Sequence, residues 1–244
     1  MKSLLIVFFT FCSVVGYAQN TWYCTDGRNR LTEEQLKEAC SKLEERFNEG
    51  NEYESYVSVF VRDKEFIGDS VIAHVTVNIN TSKPDNWLVI NPLIDYKNKQ
   101  LPSFELPTLS GDTLNPEQLA GKPTLINFWF TQCTPCVEEM PVLNMLADKY
   151  AGDFNFIAVT YQSADEVSKF LKKHPYHFTH LVEARAWIDT LGVHSYPTNI
   201  FLDKEGRLAY IKGGLPKTRK ELTADEMGQL PAVADFIRLM EKLK

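Results

Sequence analysis

Residues 127–136 read N-F-W-F-T-Q-C-T-P-C, with Thr134 and Pro135 between Cys133 and Cys136. The run T-L-I-N-F-W-F at 124–130 leads into the pair, and V-E-E-M-P-V-L-N-M-L-A-D-K-Y follows it. The first segment reads as a buried strand and the second as a helix. Two thiols where a strand hands over to a helix can form a redox couple, half of a metal site or an inert structural disulfide. Unpaired amides and the helix dipole stabilise an anion at a helix start. A free thiol has a pKa near ~8.5, and in C-x-x-C motifs at such positions it falls to about 3.5–7.5. Cys133 is therefore the expected nucleophile. Cys136, nearly one turn further on, is the thiol expected to resolve the mixed disulfide.

Metal chemistry fits poorly. A tetrahedral zinc site takes four ligands, typically from two paired motifs. The remaining candidates, Cys24 and Cys40, lie in a different region, and Pro175 interrupts the series His174, His177, His180. No metal or other cofactor is expected. A thiol peroxidase, which wants an isolated reactive cysteine with supporting Thr and Arg, stands as an alternative.

The elements that must position the pair follow from the rest of the chain. Its 244 residues, 44% hydrophobic and 24% charged, suit one large or two small globular units. The net charge of −6 and the lack of a basic stripe argue against nucleic acid as a partner. Residues 1–18 combine Lys2, an apolar core at Leu4–Val15 and the small residues Gly16 and Ala18, the pattern of a cleaved secretory leader. An uncleaved anchor is the alternative. Export retains Cys24, Cys40, Cys133 and Cys136, an even set in an oxidising compartment. Cys24 and Cys40 are expected to form a structural disulfide; the competing reading makes Cys40 a small buried hydrophobe on its helix face.

Residues 19–99 read as a small α+β domain. Thr32 and Gln35 have capping-box spacing, and Leu36, Cys40, Leu43 and Phe47 make one helix face closed by Gly50. Alternating apolar residues at 57–61 and 71–79 predict strands, and W-L-V-I-N-P-L at 87–93 predicts a third. The polar connection at 96–102 marks a boundary. Residues 100–244 then show a short hairpin at 103–114, strands at 124–130 and 154–160, and helices over 133–150, 165–173 and 184–191. A hairpin at 199–211 and a helix over 231–243 complete the pattern. Alternating strands and helices predict an α/β sheet covered on both faces.

Residues 100–244 resemble the thioredoxin superfamily, and within it the TlpA/ResA group of exported bacterial thiol–disulfide oxidoreductases. The resemblance rests on N-F-W-F-T-Q-C-T-P-C-V-E-E-M-P-V-L, on Y-P-T at 196–198 and on F-L-D-K-E-G-R-L. It implies a thioredoxin-like fold, a central mixed sheet flanked by helices, here preceded by the α+β domain. It implies that Pro197 is a cis-proline beside the cysteines and that Tyr196 offers backbone to an extended substrate strand. Trp129 would floor the site, and Thr134 and Pro135 would meet the substrate. It also implies reduction of extracytoplasmic protein disulfides, including those of apocytochrome c, with a membrane thiol reductase as electron donor. The rival reading is a binding or stress-response module on a thioredoxin-like scaffold.

Three positions bear on mechanism. Gln132 stands where the group often has Trp before the first cysteine, which makes the rim more polar. Asn127 stands where thioredoxins carry a buried aspartate, so proton exchange must be handled elsewhere. Glu139 lies three residues after Cys136, on a similar helix face. It reads either as the acid–base partner of the pair or as a surface glutamate like Glu138. Two nearby carboxylates, and a proline that withholds an amide, disfavour the thiolate and point to a reductant.

Overall fold

In a computed structural model of the protein, residues 20–25, 29–217 and 222–244 are described. The expected leader lies outside them. Among the described residues no helix is long and apolar enough to cross a membrane.

The N-terminal part begins with β1 (Asn20–Cys24), which no sequence pattern announces, and α1 (Glu33–Asn48). Helix α1 opens on the expected capping box: Thr32 Oγ1 accepts the Gln35 amide at 3.3 Å, and Gln35 Oε1 accepts the Thr32 amide at 3.0 Å. β2 (Tyr56–Ile67) and β3 (Ser70–Asn80) form an antiparallel pair. The strand expected at 87–93 shortens to β4 (Leu88–Ile90). Asn91 caps a 3-10 turn at Pro92–Tyr96, because Pro92 has no amide to continue the ladder. The sheet order is β1-β3-β2-β4. Val57, Val59, Val61, Ala73 and Val75 turn one face onto Leu36 and Cys40 of α1.

That face explains one correction. Cys40 is a buried thiol whose pKa burial raises, and the expected Cys24–Cys40 disulfide is not formed. Tyr23 packs with Leu36 and Cys40, so strand alternation turns its neighbour Cys24 to the opposite face of the sheet.

The second part starts with the short hairpin of β5 (Leu106–Pro107) and β6 (Thr113–Leu114). There follow β7 (Thr124–Phe128), α2 (Thr134–Tyr150), β8 (Asn155–Val159), α3 (Ala164–Leu171), β9 (Thr179–Leu181) and α4 (Arg185–Leu191). β10 (Thr198–Leu202), β11 (Leu208–Lys212), α5 (Ala224–Gly228) and α6 (Pro231–Leu243) close the chain. The five-stranded sheet has the order β11-β10-β7-β8-β9. β7, β8 and β9 are parallel, and β10 is antiparallel to both β7 and β11. Alternation decides what each face receives. Leu125, Trp129 and Phe201 face the helix layer of α2, α3 and α6, whereas Ile126, Phe128, Ile200 and Leu202 face α4.

The polar connection is not a loose linker. Asn98 donates its amide to Leu208 O, Leu208 donates to Lys99 O, and Lys97 and Gln100 pair with Leu208 and Arg207. Lys97 Nζ also reaches the largely buried Asp63 carboxylate of β2 at 2.9 Å. On the other side of the sheet, Leu109 donates to His180 O and Val182 to Pro107 O, which lays the hairpin along β9.

Gly192, at the end of α4, adopts φ +66, and a Cβ there would meet Pro92 at 2.7 Å. Gly192→Ala should therefore combine left-handed strain with overpacking and cost about 2–4 kcal/mol. Urea unfolding measures this; an unchanged midpoint would show that the Pro92 contact is not tight.

Candidate active site

β7 carries the chain to the centre of the sheet, and the loop after it delivers Cys133 to the start of α2. Gln162 steadies that loop: its Oε1 accepts the Thr131 amide at 2.7 Å, and its Nε2 donates to Gln132 Oε1 at 3.3 Å. Cys133 is the N-cap of α2 and is joined to Cys136 by a disulfide, with Cα atoms 5.2 Å apart. Cys133 Sγ accepts the Cys136 amide at 3.3 Å. An N-cap acceptor ordinarily draws on the second or third helical amide, and Pro135, in second place, has none. Both cysteines are buried, Cys133 at 5% exposure and Cys136 at 1%. Thr134 and Pro135 are exposed beside them.

The Tyr196–Pro197 bond is cis. Pro197 shares a cleft with Pro135. A Cβ on Gly214 would lie 2.6 Å from Pro197 Cγ and 3.3 Å from Glu139 Oε2, so Pro197 and Glu139 approach each other across this glycine. Tyr196 is half-buried, edge-on to Phe130 at 5.2 Å. Trp129 departs from its expected place. It is fully buried, packed against Phe170, Tyr176 and His180, and so supports the cysteine pair from below without facing a substrate. The inward side of β7, between Leu125 and the helix layer, leaves it no path to solvent.

Glu139 is not a surface residue: its exposure is zero. Its carboxyl accepts the Leu215 amide at 2.7 Å and Asn127 Nδ2 at 2.7 Å, and Asn199 Nδ2 lies at 3.5 Å. Burial raises its pKa to about 7 against the opposing pull of these hydrogen bonds. Asn127 is the hub. It is the register partner of Asn199, donates to Asn199 Oδ1 at 3.0 Å and accepts the Tyr176 hydroxyl at 2.9 Å. Sequence reasoning missed Asn199 and Tyr176. The available signal was an asparagine inside the apolar run T-N-I-F-L, whose residues are all buried.

Glu138, in contrast, is partly exposed and paired with Lys217. The two carboxylates therefore do not act together on the sulfurs: one is balanced by an ammonium, the other is half-neutralised by burial at neutral pH. The three histidines do not converge. His177 bonds Asp148, His174 stacks on Phe170, and His180 bonds Tyr176 O. Among the described residues no group of three or more His, Cys, Asp or Glu is placed to hold a metal.

Two sulfurs bonded at a helix start exchange electrons with another disulfide or dithiol by nucleophilic displacement. With a mixed sheet flanked by helices, this defines a thioredoxin-like thiol–disulfide oxidoreductase of the TlpA/ResA type. Residues 96–227 match the family described as Redoxin, and the chain belongs to that family. It is 35% identical over 128 residues to the thioredoxin-like protein YneN of Bacillus subtilis, covering 51% of this chain and 75% of that one. It is 33% identical over 127 residues to the thiol-disulfide oxidoreductase ResA of Bacillus thuringiensis subsp. konkukian, covering 50% and 73%. A crystal structure described as a putative thiol:disulfide interchange protein DsbE from Chlorobium tepidum superposes with a TM-score of 0.49 at 25% identity, over 59% of this chain and 96% of that one.

The raised pKa of Glu139 has a sign in stability. Because the folded value exceeds the unfolded one, this group favours the fold below about 4.5, and that advantage is lost as pH rises through about 7. The loss should be on the order of 3 kcal/mol. Urea unfolding of the oxidised protein from pH 4.5 to 8 should show it, and Glu139→Gln should remove that part of the slope. Parallel pH profiles for the two proteins would contradict the assignment.

Proposed function

We propose that the protein is an exported protein-disulfide reductase. A leader at 1–18 directs it out of the cytoplasm, an α+β unit spans 19–99 and the redox unit spans 100–244. Its substrates are disulfides of extracytoplasmic proteins, apocytochrome c among the candidates, and a membrane thiol reductase returns it to the dithiol state. The observation that carries this reading is the fully buried Glu139 carboxyl, with a pKa raised to about 7, three residues along the helix from Cys136.

In the reduced protein the Cys133 thiolate attacks one sulfur of the substrate disulfide. That S–S bond breaks, the first substrate thiolate leaves, and a mixed disulfide joins substrate to Cys133. Cys136 gives its proton to the Glu139 carboxylate and attacks Cys133 Sγ. The second substrate thiolate leaves, the Cys133–Cys136 disulfide forms, and two electrons have passed to the substrate. A group with a pKa near the working pH is suited to take and return such a proton. Direction is supported by the cap: the Cys133 sulfur draws on one helix amide because Pro135 has none to offer, so its thiolate is only modestly stabilised. A reduced form that is not strongly stabilised makes a poor oxidant.

Insulin reduction by the mature protein tests the activity. Cys133→Ser should abolish turnover, and Cys136→Ser should accumulate mixed disulfides through Cys133. Preferential alkylation of Cys136 in the reduced wild type would reverse these assignments. Glu139→Gln should slow reduction by about tenfold to a hundredfold and flatten the pH profile around 7, whereas Glu138→Gln should leave the profile in place. Equal small effects from both would remove Glu139 from the proton path.

A further inference from the structure

The chemistry above gives the N-terminal sheet no task, yet that sheet borders the site. A cleft of about 720 Å³ has Pro135, Tyr196 and Pro197 among its lining, and Phe60, Arg62 and Thr76 among its N-terminal lining. Val57, Val59 and Val61 turn toward α1, so alternation turns Phe60 the other way, into the cleft. Arg62 lies at the break in the β2–β3 register between Val61 and Asp63, and it lines the cleft as well. Phe60 is the register partner of Thr76 on β3 and of Val89 on β4, so three strands present one continuous row.

The charge of this cleft runs against that of the chain. The chain has 32 Asp and Glu against 26 Lys and Arg, yet among the described residues no carboxylate lines the cleft. Lys212, which also lines it, is neutralised by Asp235 at 2.8 Å. Arg62 has no ion-pair partner among the described residues. Among the described residues its guanidinium makes one hydrogen bond, Nη2 to Val75 O at 3.3 Å, while its Nε is enclosed with no acceptor. A guanidinium matches a carboxylate in two-point geometry, and one held in a half-enclosed wall is only partly screened.

We propose that the N-terminal sheet is the substrate-selecting wall of the redox site. The cleft seats an extended segment of the disulfide-bearing polypeptide, with an acidic side chain on Arg62 and an apolar one across Phe60 and Val89. This rests on the reductase reading for the identity of the occupant. It adds what that occupant carries beside its disulfide: acidic and apolar residues.

The test uses two labelled peptides, identical except that two Glu or two Lys flank an internal cystine and its neighbouring Phe. Binding to the oxidised full-length protein is followed by fluorescence anisotropy, which reports the cleft whether or not the dithiol turns over. The wild type should bind the acidic peptide about tenfold more tightly than the basic one, as expected for one favourable charge pair. Added salt should shrink that preference. Arg62→Glu should abolish or invert it. So should Thr76→Glu, which leaves the Arg62 contact to Val75 in place and guards against misfolding of the first variant. Equal binding of the two peptides by the wild type, or a preference that survives in both variants, would overturn the proposal. Reduction of the neutral, small hydroxyethyl disulfide by the reduced wild type reads the dithiol separately; its absence would defeat the reductase reading and leave the binding result to judge the wall.

Discussion

The Glu139 carboxyl sits at zero exposure in the core, and its hydrogen bonds determine how the site is assembled. An ionised carboxylate with no donors there would cost several kcal/mol. It is tolerated because donors arrive from three places: Asn127 on β7, Asn199 on β10 and the Leu215 amide after β11. The same contacts lock α2 onto the sheet, and α2 carries Cys133 and Cys136 at its start. They also hold the 213–215 loop, whose Gly214 has no room for a side chain against Pro197. The buried acid thus registers the cysteine pair and the cis-proline against each other. A carboxylate with a normal pKa would need more donors, and an apolar side chain would take the acceptor from the Leu215 amide and leave the Asn127 and Asn199 amides only their bonds to Asn199 Oδ1 and Gly213 O.

Around the sulfurs the electrostatics are restrained. Cys133 occupies the N-cap, where a helix offers its orphan amides, but the proline inside the motif takes one of them away. Glu138 spends its charge on Lys217 at the surface. Net positive influence on Cys133 is therefore small, and in the proposed mechanism the proton traffic falls to Glu139, on the buried side of the helix.

Local physics is what a sequence displays best. The caps at Thr32 and the alternation in β2 and β3 all lie within a few residues of the structure they specify. So do the hairpin at 199–211 and the motif around Cys133. The helix over residues 231–243 was legible to its ends because Pro231 starts it and its apolar residues recur at helical spacing. What stayed hidden depends on distant neighbours. Asn199 matters because β10 pairs with β7, placing it opposite Asn127 across 72 residues of sequence. Strand β1 exists because β3 offers it a parallel edge, and that pairing decides the face on which Cys24 falls. The resemblance places Trp129 at the floor of the site, but it follows β7 on the Leu125 face and is packed under the helix layer, in contacts that come from α3 and the segment at Tyr176–His180. The place of Arg62 in the cleft was invisible for the same reason: its surroundings come from three strands and a separate sheet.

The pairing of the connection with β11 has a consequence for the sheet as a whole. Open strand edges present unpaired amides and carbonyls that template association with other chains. Here β11 has Leu208 occupied by Asn98 and Lys99, and β9 at the far side is occupied by the β5 segment. Cutting the chain at its polar connection, as a domain boundary invites, would strip one of these covers. The isolated redox part would keep its catalytic residues and gain an aggregation-prone edge, so the short segment at 97–100 acts as a solubility device as much as a link.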